Sequence, residues 1–256
     1  MHDYNNFYNS NHIYLKICNY PAKYKESANA FQKEFQYMRN LQQLMKAENC
    51  GHIYSQLFPH YYQLEIKPDG KPVLSMEYFS GQSLENYLKH RQPHNSPYPL
   101  LTHKQILYIY AQLHNATVWL KRGNMIHLDL SPQNILLINN NFDIRLVDFT
   151  NCYYTNSSFL TTKQGYKKID YRINSSLSPF KQLRNTYALL FTRLFFNGNE
   201  HYQTYFSCNL HTEKGEKNYE YFQKKYPCLL NCLFCPESAK NISWEDWYKR
   251  LIALLS

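Results

Sequence analysis

The sequence predicts an α+β fold in two parts: a small N-terminal part with strands and one helix, and a mostly helical C-terminal part. Three observations support this prediction. Aliphatic residues alternate with other residues over positions 13–17, and apolar residues recur at helical spacing over residues 31–45 and again over residues 106–120. With 256 residues, the chain can form one substantial core or two small lobes, but not several independent domains.

The first strand and the helix after it each carry a charged residue at a position set by periodicity. Because side chains alternate between the two faces of a strand, Lys16 lies opposite the aliphatic face and is directed toward a cleft. The apolar stripe of the helix consists of Phe31, Phe35, Met38, Leu41 and Met45. Glu34 lies three residues after Phe31 and four before Met38, so it projects beside the buried face.

Between residues 62 and 88 the sequence predicts two strands and a helix. Two strand-like runs lie on either side of the turn Pro68-Asp69-Gly70, and the second run extends over residues 73–79. The predicted helix follows over residues 81–88. An edge strand followed by a turn would give the same pattern, so this segment alone does not indicate a function.

A long helix, a polar loop and a hairpin follow. The helix is predicted over residues 104–123, with Gly123 as its stop, and it leads to the loop His-Leu-Asp-Leu-Ser-Pro-Gln-Asn at 127–134. Two short strands, 135–138 and 144–147, are joined through three asparagines that tolerate left-handed turns. Asn134 therefore precedes this hairpin, and Asp148 follows it.

The order of Asp129, Asn134 and Asp148 is the order of parts that phosphoryl transfer needs. Asp129 could orient a substrate hydroxyl and accept its proton, Asn134 could hold one magnesium, and Asp148 could hold the magnesium that bridges nucleotide phosphates. These segments resemble the catalytic loop and the metal-binding triplet of the protein kinases. The sequence departs from the family at Leu128, where Arg is common, and at Thr150, where Gly is usual.

The resemblance implies a bilobal protein-kinase-like fold with a reduced N-lobe sheet and a mostly helical C-lobe. The N-lobe and hinge would comprise residues 1–79, and the C-lobe residues 80–256. Lys16 and Glu34 resemble the family's strand lysine and helix glutamate, in which the lysine contacts the nucleotide phosphates and the glutamate orients it. Glu26 is a competing candidate for the glutamate, and an ordinary surface lysine with a solvated glutamate is the alternative interpretation.

The same resemblance assigns the nucleotide pocket. Met76 would form its back wall, and the backbone groups of Glu77, Tyr78 and Phe79 would bond the adenine edge. The implied cofactors are ATP and Mg²⁺, or Mn²⁺. The predicted function is accordingly an ATP- and magnesium-dependent phosphotransferase, a divergent serine/threonine or tyrosine protein kinase.

Two alternatives stay open. Ser131, where many serine/threonine kinases have Lys, resembles the RIO-type atypical kinases and small-molecule kinases, which favours a small-molecule or lipid-headgroup acceptor. A pseudokinase, which is a binding module, is favoured by Asn185 in place of the usual Asp and by the lack of a glycine lid. Residues 1–17 contain no Gly, so a disordered tail or a short polar lid built from the asparagines of residues 5–11 is expected there instead.

The segment after Thr150 is read as the activation segment. Residues 150–195 carry seven Lys or Arg and one acid, Asp170, within a chain of net charge +9. This excess suggests an acidic or polyanionic partner, with an ordinary solvated face as the alternative. Because Leu128 replaces the Arg that pairs with a phosphorylated loop, phosphorylation is not expected to switch this segment on. Apolar patterns predict helices over 185–196 and 242–255.

Composition bounds the remaining expectations. No apolar run reaches the ~18 residues of a membrane span and no signal segment is evident, so a cytoplasmic protein is expected. Its Tyr- and Asn-rich composition resembles that of bacterial kinase effectors, which enter a host cell, or of viral kinases. The seven cysteines are expected to be reduced. Cys228, Cys232 and Cys235 could bind zinc, but the apolar residues between them favour a buried helix.

Overall fold

The computed structural model describes residues 4–9, 12–89, 101–150 and 152–154. It also describes seven single positions nearer the C-terminus, namely Leu183, Tyr187, Leu190, Leu194, Asp246, Lys249 and Ala253. Helices and antiparallel sheets occur together in this part of the chain, which confirms the α+β prediction.

The strands are β1 (Tyr4–Asn9), β2 (Ile13–Cys18), β3 (Tyr61–Ile66), β4 (Pro72–Glu77), β5 (Gln82–Ser83), β6 (Met125–His127), β7 (Ile135–Leu137), β8 (Ile144–Leu146) and β9 (Cys152–Tyr154). The α-helices are α1 (Tyr24–Ala47), α2 (Gly51–Leu57), α3 (Leu84–Lys89) and α4 (His103–Arg122). Short 3₁₀ turns occupy Pro21–Lys23 and Pro132–Asn134.

The N-terminal sheet has the strand order β1-β2-β4-β3. β2 is a central strand of this sheet and pairs antiparallel with both β1 and β4, which confirms the strand predicted around residue 15. The hairpin β3–β4 is closed at the predicted turn, where Gly70 has a φ of 84° that favours glycine. Helix α1 packs its buried stripe, Phe31, Met38, Leu41 and Met45, against the described core.

The expectation of a disordered tail is wrong for the part described, residues 4–9, whereas the polar lid stays a prediction. Residues 4–9 form β1, and Asn6 lies opposite Lys16 in the register with β2. An edge strand needs only one partner for its backbone groups, and the asparagines do not prevent that pairing. The polar composition therefore concealed a strand.

The loop 127–134 lies between β6 and β7, and the β7–β8 hairpin follows as predicted. The side chain of Gln112 on α4 fixes the end of the hairpin, because its Nε2 donates to the Phe142 carbonyl at 3.0 Å and its Oε1 accepts from the Ile144 amide at 3.0 Å. β6 pairs with β9, a strand that the sequence pattern did not predict. Both ends of the loop are thus held by hydrogen-bonded backbone.

The described residues fall into two compact units. The first comprises those within residues 1–84 and 111–171, and the second those within residues 85–110 and 172–256. In the second unit, the described residues at 183, 187, 190 and 194 are helical and buried, and the Tyr110 hydroxyl donates to the Tyr187 carbonyl at 2.7 Å. Among the helices that the structure describes, none has the length and apolar character needed to cross a bilayer.

Several predicted features lie outside the described residues. They are Asn185, the basic segment beyond residue 154 apart from four single positions, the three clustered cysteines at 228, 232 and 235, and most of the helix predicted over 242–255.

Candidate active site

Strand β2 and helix α1 bring Lys16 and Glu34 into a buried ion pair. The Lys16 Nζ lies 2.9 Å from the Glu34 Oε2, and the two residues are 4% and 0% exposed. The strand period of two and the helical period of 3.6 each turn one of these residues toward the space between sheet and helix. The contact joins the residues that the sequence predicted as a pair, and not Lys16 with Glu26.

Asp148 completes a three-charge cluster from the other side. It follows β8 in a left-handed backbone conformation, with a φ of 61°. Its Oδ1 lies 2.7 Å from the Lys16 Nζ, while its side chain keeps 21% of its surface exposed. One ammonium therefore lies between two carboxylates, and the three side chains together carry a formal charge of −1.

Thr150 inserts its hydroxyl into the same cluster. Its Oγ1 lies 2.9 Å from the Glu34 Oε2 and 2.7 Å from the Asp148 Oδ1, and it accepts a hydrogen bond from the Lys16 Nζ. The backbone amide of Thr150 also points to the Asp148 Oδ1, at 3.4 Å. The residue that stands in place of the family's glycine thus accepts from Lys16 and can donate its one hydroxyl proton to either Asp148 or Glu34.

The second oxygen of Glu34 is held separately. The Glu34 Oε1 accepts from the Tyr61 hydroxyl at 2.7 Å and from the Phe149 amide at 3.3 Å. Burial, and then the negative charge of Glu34, hold the pKa of Tyr61 well above its usual range, so its hydroxyl stays protonated and donates. Glu34 therefore bonds strand β3, strand β2 and the segment after β8 at once.

Opposing effects act on the charge of Lys16. Burial by itself would lower the Lys16 pKa, but the charges of Asp148 and Glu34 and their hydrogen bonds outweigh it and hold the pKa above its ordinary value. Lys16 also lies over the Phe31 ring, with the Nζ 5.3 Å from the ring centroid. The side chain is therefore a fixed cation at physiological pH.

The loop 127–134 is tied to itself and to the end of β8. The Asn134 Nδ2 donates to the Asp129 carbonyl at 2.9 Å, and the Asn134 carbonyl accepts from the Val147 amide at 2.9 Å. The Asp129 amide donates to the His127 Nδ1 at 3.2 Å. These bonds place Asn134 beside the residue that precedes Asp148 and hold Asp129 and Asn134 in one loop.

His127 has a structural role in this loop. Its Nδ1 accepts from the Asp129 amide, so the proton is on Nε2, which points to the Val147 carbonyl at 3.4 Å. Burial lowers the pKa of His127 to about 4, although the Val147 carbonyl and the charge of Asp148 partly oppose this effect. His127 is therefore neutral at pH 7, with both ring nitrogens engaged.

Comparison with known proteins assigns the family. A family model described as protein tyrosine and serine/threonine kinase matches residues 3–175, which is more than half of the chain. The chain belongs to this protein kinase family. Among curated proteins, the probable dual specificity protein kinase madd-3 of Caenorhabditis elegans is 38% identical over 68 residues, which cover 27% of this chain and 7% of that protein.

The oxygen atoms of Asn134 and Asp148 in this kinase domain suit a hard cation whose other ligands are water and phosphate oxygens. The Asn134 amide uses its nitrogen within the protein, which leaves its oxygen, the atom of an amide that can bind a metal, without a protein partner in the described segments. The described residues contain no group of three or more His, Cys, Asp or Glu that could hold a metal. One carboxylate and one amide oxygen fit Mg²⁺, which is commonly bound through one or two protein carboxylates together with substrate phosphates.

Two backbone amides of the predicted hinge of the kinase domain already donate hydrogen bonds within the protein. The Glu77 amide donates to the His60 carbonyl at 2.8 Å, and the Tyr78 amide donates to the His12 carbonyl at 2.9 Å. Within the described part of the chain, neither backbone polar group of Phe79 has a partner. Met76 is 5% exposed and is the last residue on the buried face of β4.

Sequence reasoning did not assign Tyr61 or Thr150 to the site. The only local signal for Thr150 was its place in the metal-binding triplet, where a hydroxyl replaces a glycine. Tyr61 gave no such signal, because an aromatic residue at the start of a strand is ordinary core material. Both residues are recognised only once the fold brings them to Glu34.

Proposed function

We propose that this kinase domain is an active ATP- and magnesium-dependent phosphotransferase that acts on protein hydroxyl groups. The observation that carries the proposal is the single ammonium of Lys16 bonded to both Glu34 and Asp148. A buried lysine held by a helix glutamate, beside the aspartate that precedes Phe149, is the arrangement that positions a nucleotide triphosphate. The division into an N-lobe over 1–79 and a C-lobe over 80–256 belongs to the same proposal.

Each residue has a proposed task. Lys16 contacts the nucleotide phosphates, and Glu34 keeps Lys16 in place. Asp148 and Asn134 hold Mg²⁺ or Mn²⁺, which when bound supplies positive charge to the phosphates. Asp129 orients the acceptor hydroxyl and takes its proton. His127 is not the base, because its Nδ1 already accepts from the Asp129 amide, its Nε2 carries a proton, and burial lowers its pKa to about 4.

The charge of the site supports the need for a metal ion. Lys16, Glu34 and Asp148 sum to −1 before any ligand binds. A nucleotide triphosphate brings several more negative charges into a partly buried site, where opposing charges interact more strongly than in water. A divalent cation offsets this repulsion, so nucleotide binding is expected to depend steeply on Mg²⁺.

The open backbone of Phe79 supports an adenine contact at the hinge. With the amides of Glu77 and Tyr78 already donating within the protein, the Phe79 amide is the hinge donor proposed to bond a ring nitrogen of adenine. Arg145 lies over the Phe79 ring, with its guanidinium carbon 5.1 Å from the ring centroid. This stacking orders the Phe79 side chain beside the proposed pocket.

Turnover with matched variants tests the proposal. Purified protein is incubated with γ-labelled ATP, Mg²⁺ and candidate protein substrates, alongside Asp148→Asn and Asp129→Asn. The matched control is Asp69→Asn, which removes the same charge from an exposed turn and is expected to keep wild-type activity. We expect at least 100-fold slower transfer for both site variants, on the scale of lost charge stabilisation or proton transfer. If wild type transfers phosphate no faster than Asp148→Asn, even with cell extract added, the hypothesis of an active enzyme is excluded and the pseudokinase remains.

A second acceptor class is favoured by Ser131. This residue precedes the 3₁₀ turn Pro132–Asn134 and carries no charge, so it does not supply the cation that many protein kinases place two residues after Asp129. A small molecule or lipid headgroup is therefore the alternative acceptor. Label that appears on small molecules but not on any protein of the extract would select this class.

The basic segment 150–195 supports the further proposal of an acidic or polyanionic partner. Salt-sensitive stimulation by a polyanion is expected. If charge reversal at Lys167, Lys168 and Arg172 leaves stimulation unchanged with every polyanion tested, the segment is an ordinary solvated surface.

A further inference from the structure

Three oxygens of the described residues surround the Lys16 ammonium. The Glu34 Oε2 lies at 2.9 Å, the Asp148 Oδ1 at 2.7 Å, and the Thr150 Oγ1 is the third. An ammonium has three N–H groups and no lone pair. All three donors of Lys16 are therefore directed at atoms of the protein itself, and a phosphate oxygen can be bound by Lys16 only if one of these contacts is given up.

The three contacts are unequal. Glu34 and Asp148 are carboxylates, and hydrogen bonds between two charged groups are about twice as strong as those between neutral ones. Thr150 contributes a neutral hydroxyl, and it retains another partner after leaving Lys16, because its Oγ1 also lies 2.7 Å from the Asp148 Oδ1. The contact from Lys16 to Thr150 is thus the one that costs least to exchange.

The position of Thr150 also differs from that of the carboxylates. Glu34 is fully buried and bonded to Tyr61 and the Phe149 amide, so it is fixed from several sides. Thr150 is only partly buried and lies two residues beyond Asp148. A small movement of its side chain is enough to vacate the third donor of Lys16.

We propose that the Thr150 hydroxyl is a place-holder for a phosphate oxygen, bonded to Lys16 in the nucleotide-free protein and displaced when a nucleotide triphosphate binds. The inference rests on the proposed function and extends it to a positioning residue. Thr150 orders Lys16 and Asp148 before the ligand arrives and competes with the ligand for Lys16. Its hydroxyl therefore stabilises the free state more than the bound state.

Competition predicts the direction of a substitution. Removing the hydroxyl withdraws a stabilising contact from the free protein, so Thr150→Ala should bind nucleotide more tightly than wild type. A hydrogen bond that involves a charged group has a net effect that corresponds to a change on the order of tenfold in the dissociation constant. Thr150→Ser keeps the hydroxyl and should retain the wild-type dissociation constant.

The experiment is a calorimetric titration of the full chain with a non-hydrolysable ATP analogue and Mg²⁺. Wild type is compared with Thr150→Ala, Thr150→Ser and the matched control Thr102→Ala, which removes a hydroxyl from the start of α4. The melting temperature of each ligand-free variant is measured in parallel. We expect Thr150→Ala to melt lower without ligand, to bind about tenfold more tightly, and to gain more in melting temperature when the ligand is added.

Each result decides between outcomes. Tighter binding by Thr150→Ala, with wild-type affinity in Thr150→Ser and Thr102→Ala, supports the inference. Equal or weaker binding by Thr150→Ala, while wild type binds the analogue, overturns the place-holder and leaves the proposed function intact. Absence of binding by wild type and by Thr150→Ala overturns both proposals together.

Discussion

Glu34→Gln is the substitution that probes the buried cluster most directly, because it keeps the size of the side chain and removes its charge. The two Glu34 oxygens accept from Lys16, Tyr61 and the Phe149 amide, and the Oε2 also competes with Asp148 for the one hydroxyl proton of Thr150. A glutamine offers one acceptor oxygen, and its NH₂ group must face donors on the other side. If the NH₂ group takes the Oε2 position, it opposes the Lys16 ammonium at 2.9 Å, and if it takes the Oε1 position, it opposes the Phe149 amide.

The cost follows from these geometries. In either orientation at least one buried donor loses its acceptor, and among the described residues Asp148 is the carboxylate that still pairs with Lys16. Loss of one partner from a buried charged pair costs about 3–5 kcal/mol. Because Asp148 remains, we expect the lower end, about 3 kcal/mol, which is roughly a 6–12 °C fall in melting temperature for a chain of this size.

Urea unfolding with a double-mutant cycle measures this coupling. The partner variant is Lys16→Met, and the matched control is Glu65→Gln, an exposed glutamate whose ion pair with Lys67 is 45% exposed on each side. The control is expected to change the unfolding free energy by less than about 0.5 kcal/mol. Glu34→Gln and Lys16→Met should be non-additive by at least about 1.5 kcal/mol, because once the ammonium is gone the neutral amide is the better neighbour for Asp148. Additivity within about 0.5 kcal/mol would refute the buried three-charge cluster.

Three further substitutions test other parts of the described structure. His127 is 2% exposed and its pKa is lowered from 6.5 to about 4. Its contribution to the free energy of unfolding should therefore be fully present above pH 6.5 and fall by about 3 kcal/mol as the pH is lowered to 4. His127→Gln should reduce this pH dependence in melting curves measured across that range. Tyr61→Phe removes a buried hydroxyl bonded to Glu34 and should lower the urea unfolding free energy by about 1.5–3 kcal/mol, and no change would show that the bond contributes nothing. Gly81→Ala would place a Cβ 2.4 Å from the Leu137 carbonyl oxygen, so a loss of at least about 2 kcal/mol is expected in the same assay, and wild-type stability would contradict the close approach of these backbones.

The sequence was sufficient for contacts that local periodicity controls. The alternation around Lys16 and the helical stripe around Glu34 each fix a side-chain direction within one element, and the ion pair follows when the two buried faces meet. The order of loop, hairpin and Asp148 was equally local, because each part is a short segment with its own turn residues. The structure contains the loop and the hairpin predicted before Asp148, with bounds that differ from the prediction by a few residues at most.

The sequence was insufficient where tertiary contact or edge pairing decides. Strand β1 has no alternation of apolar residues and is held by backbone pairing with β2, so no sequence pattern predicted it. Helix α2 has only two buried positions, Tyr54 and Leu57, which is too few to establish a helical period. Thr150 reaches Glu34 across 116 positions of the chain, and such a contact has no local signature.

The packing of the site means that loss of activity in a variant has different meanings at different residues. Glu34 connects helix α1 to Tyr61 and to the Phe149 amide, so a Glu34 variant that loses activity has also lost structural support. Asp148 has 21% of its side chain exposed, and among described atoms its Oδ1 is bonded to Lys16 and Thr150. Asp148→Asn keeps the shape and an oxygen for Lys16, and its exposed surface tolerates the change better than the interior does. We therefore expect Asp148→Asn to lose phosphoryl transfer while its melting temperature stays near that of wild type. Glu34→Gln should lose phosphoryl transfer and also melt at a lower temperature. This contrast separates the chemistry proposed for the cluster from its contribution to the stability of the fold.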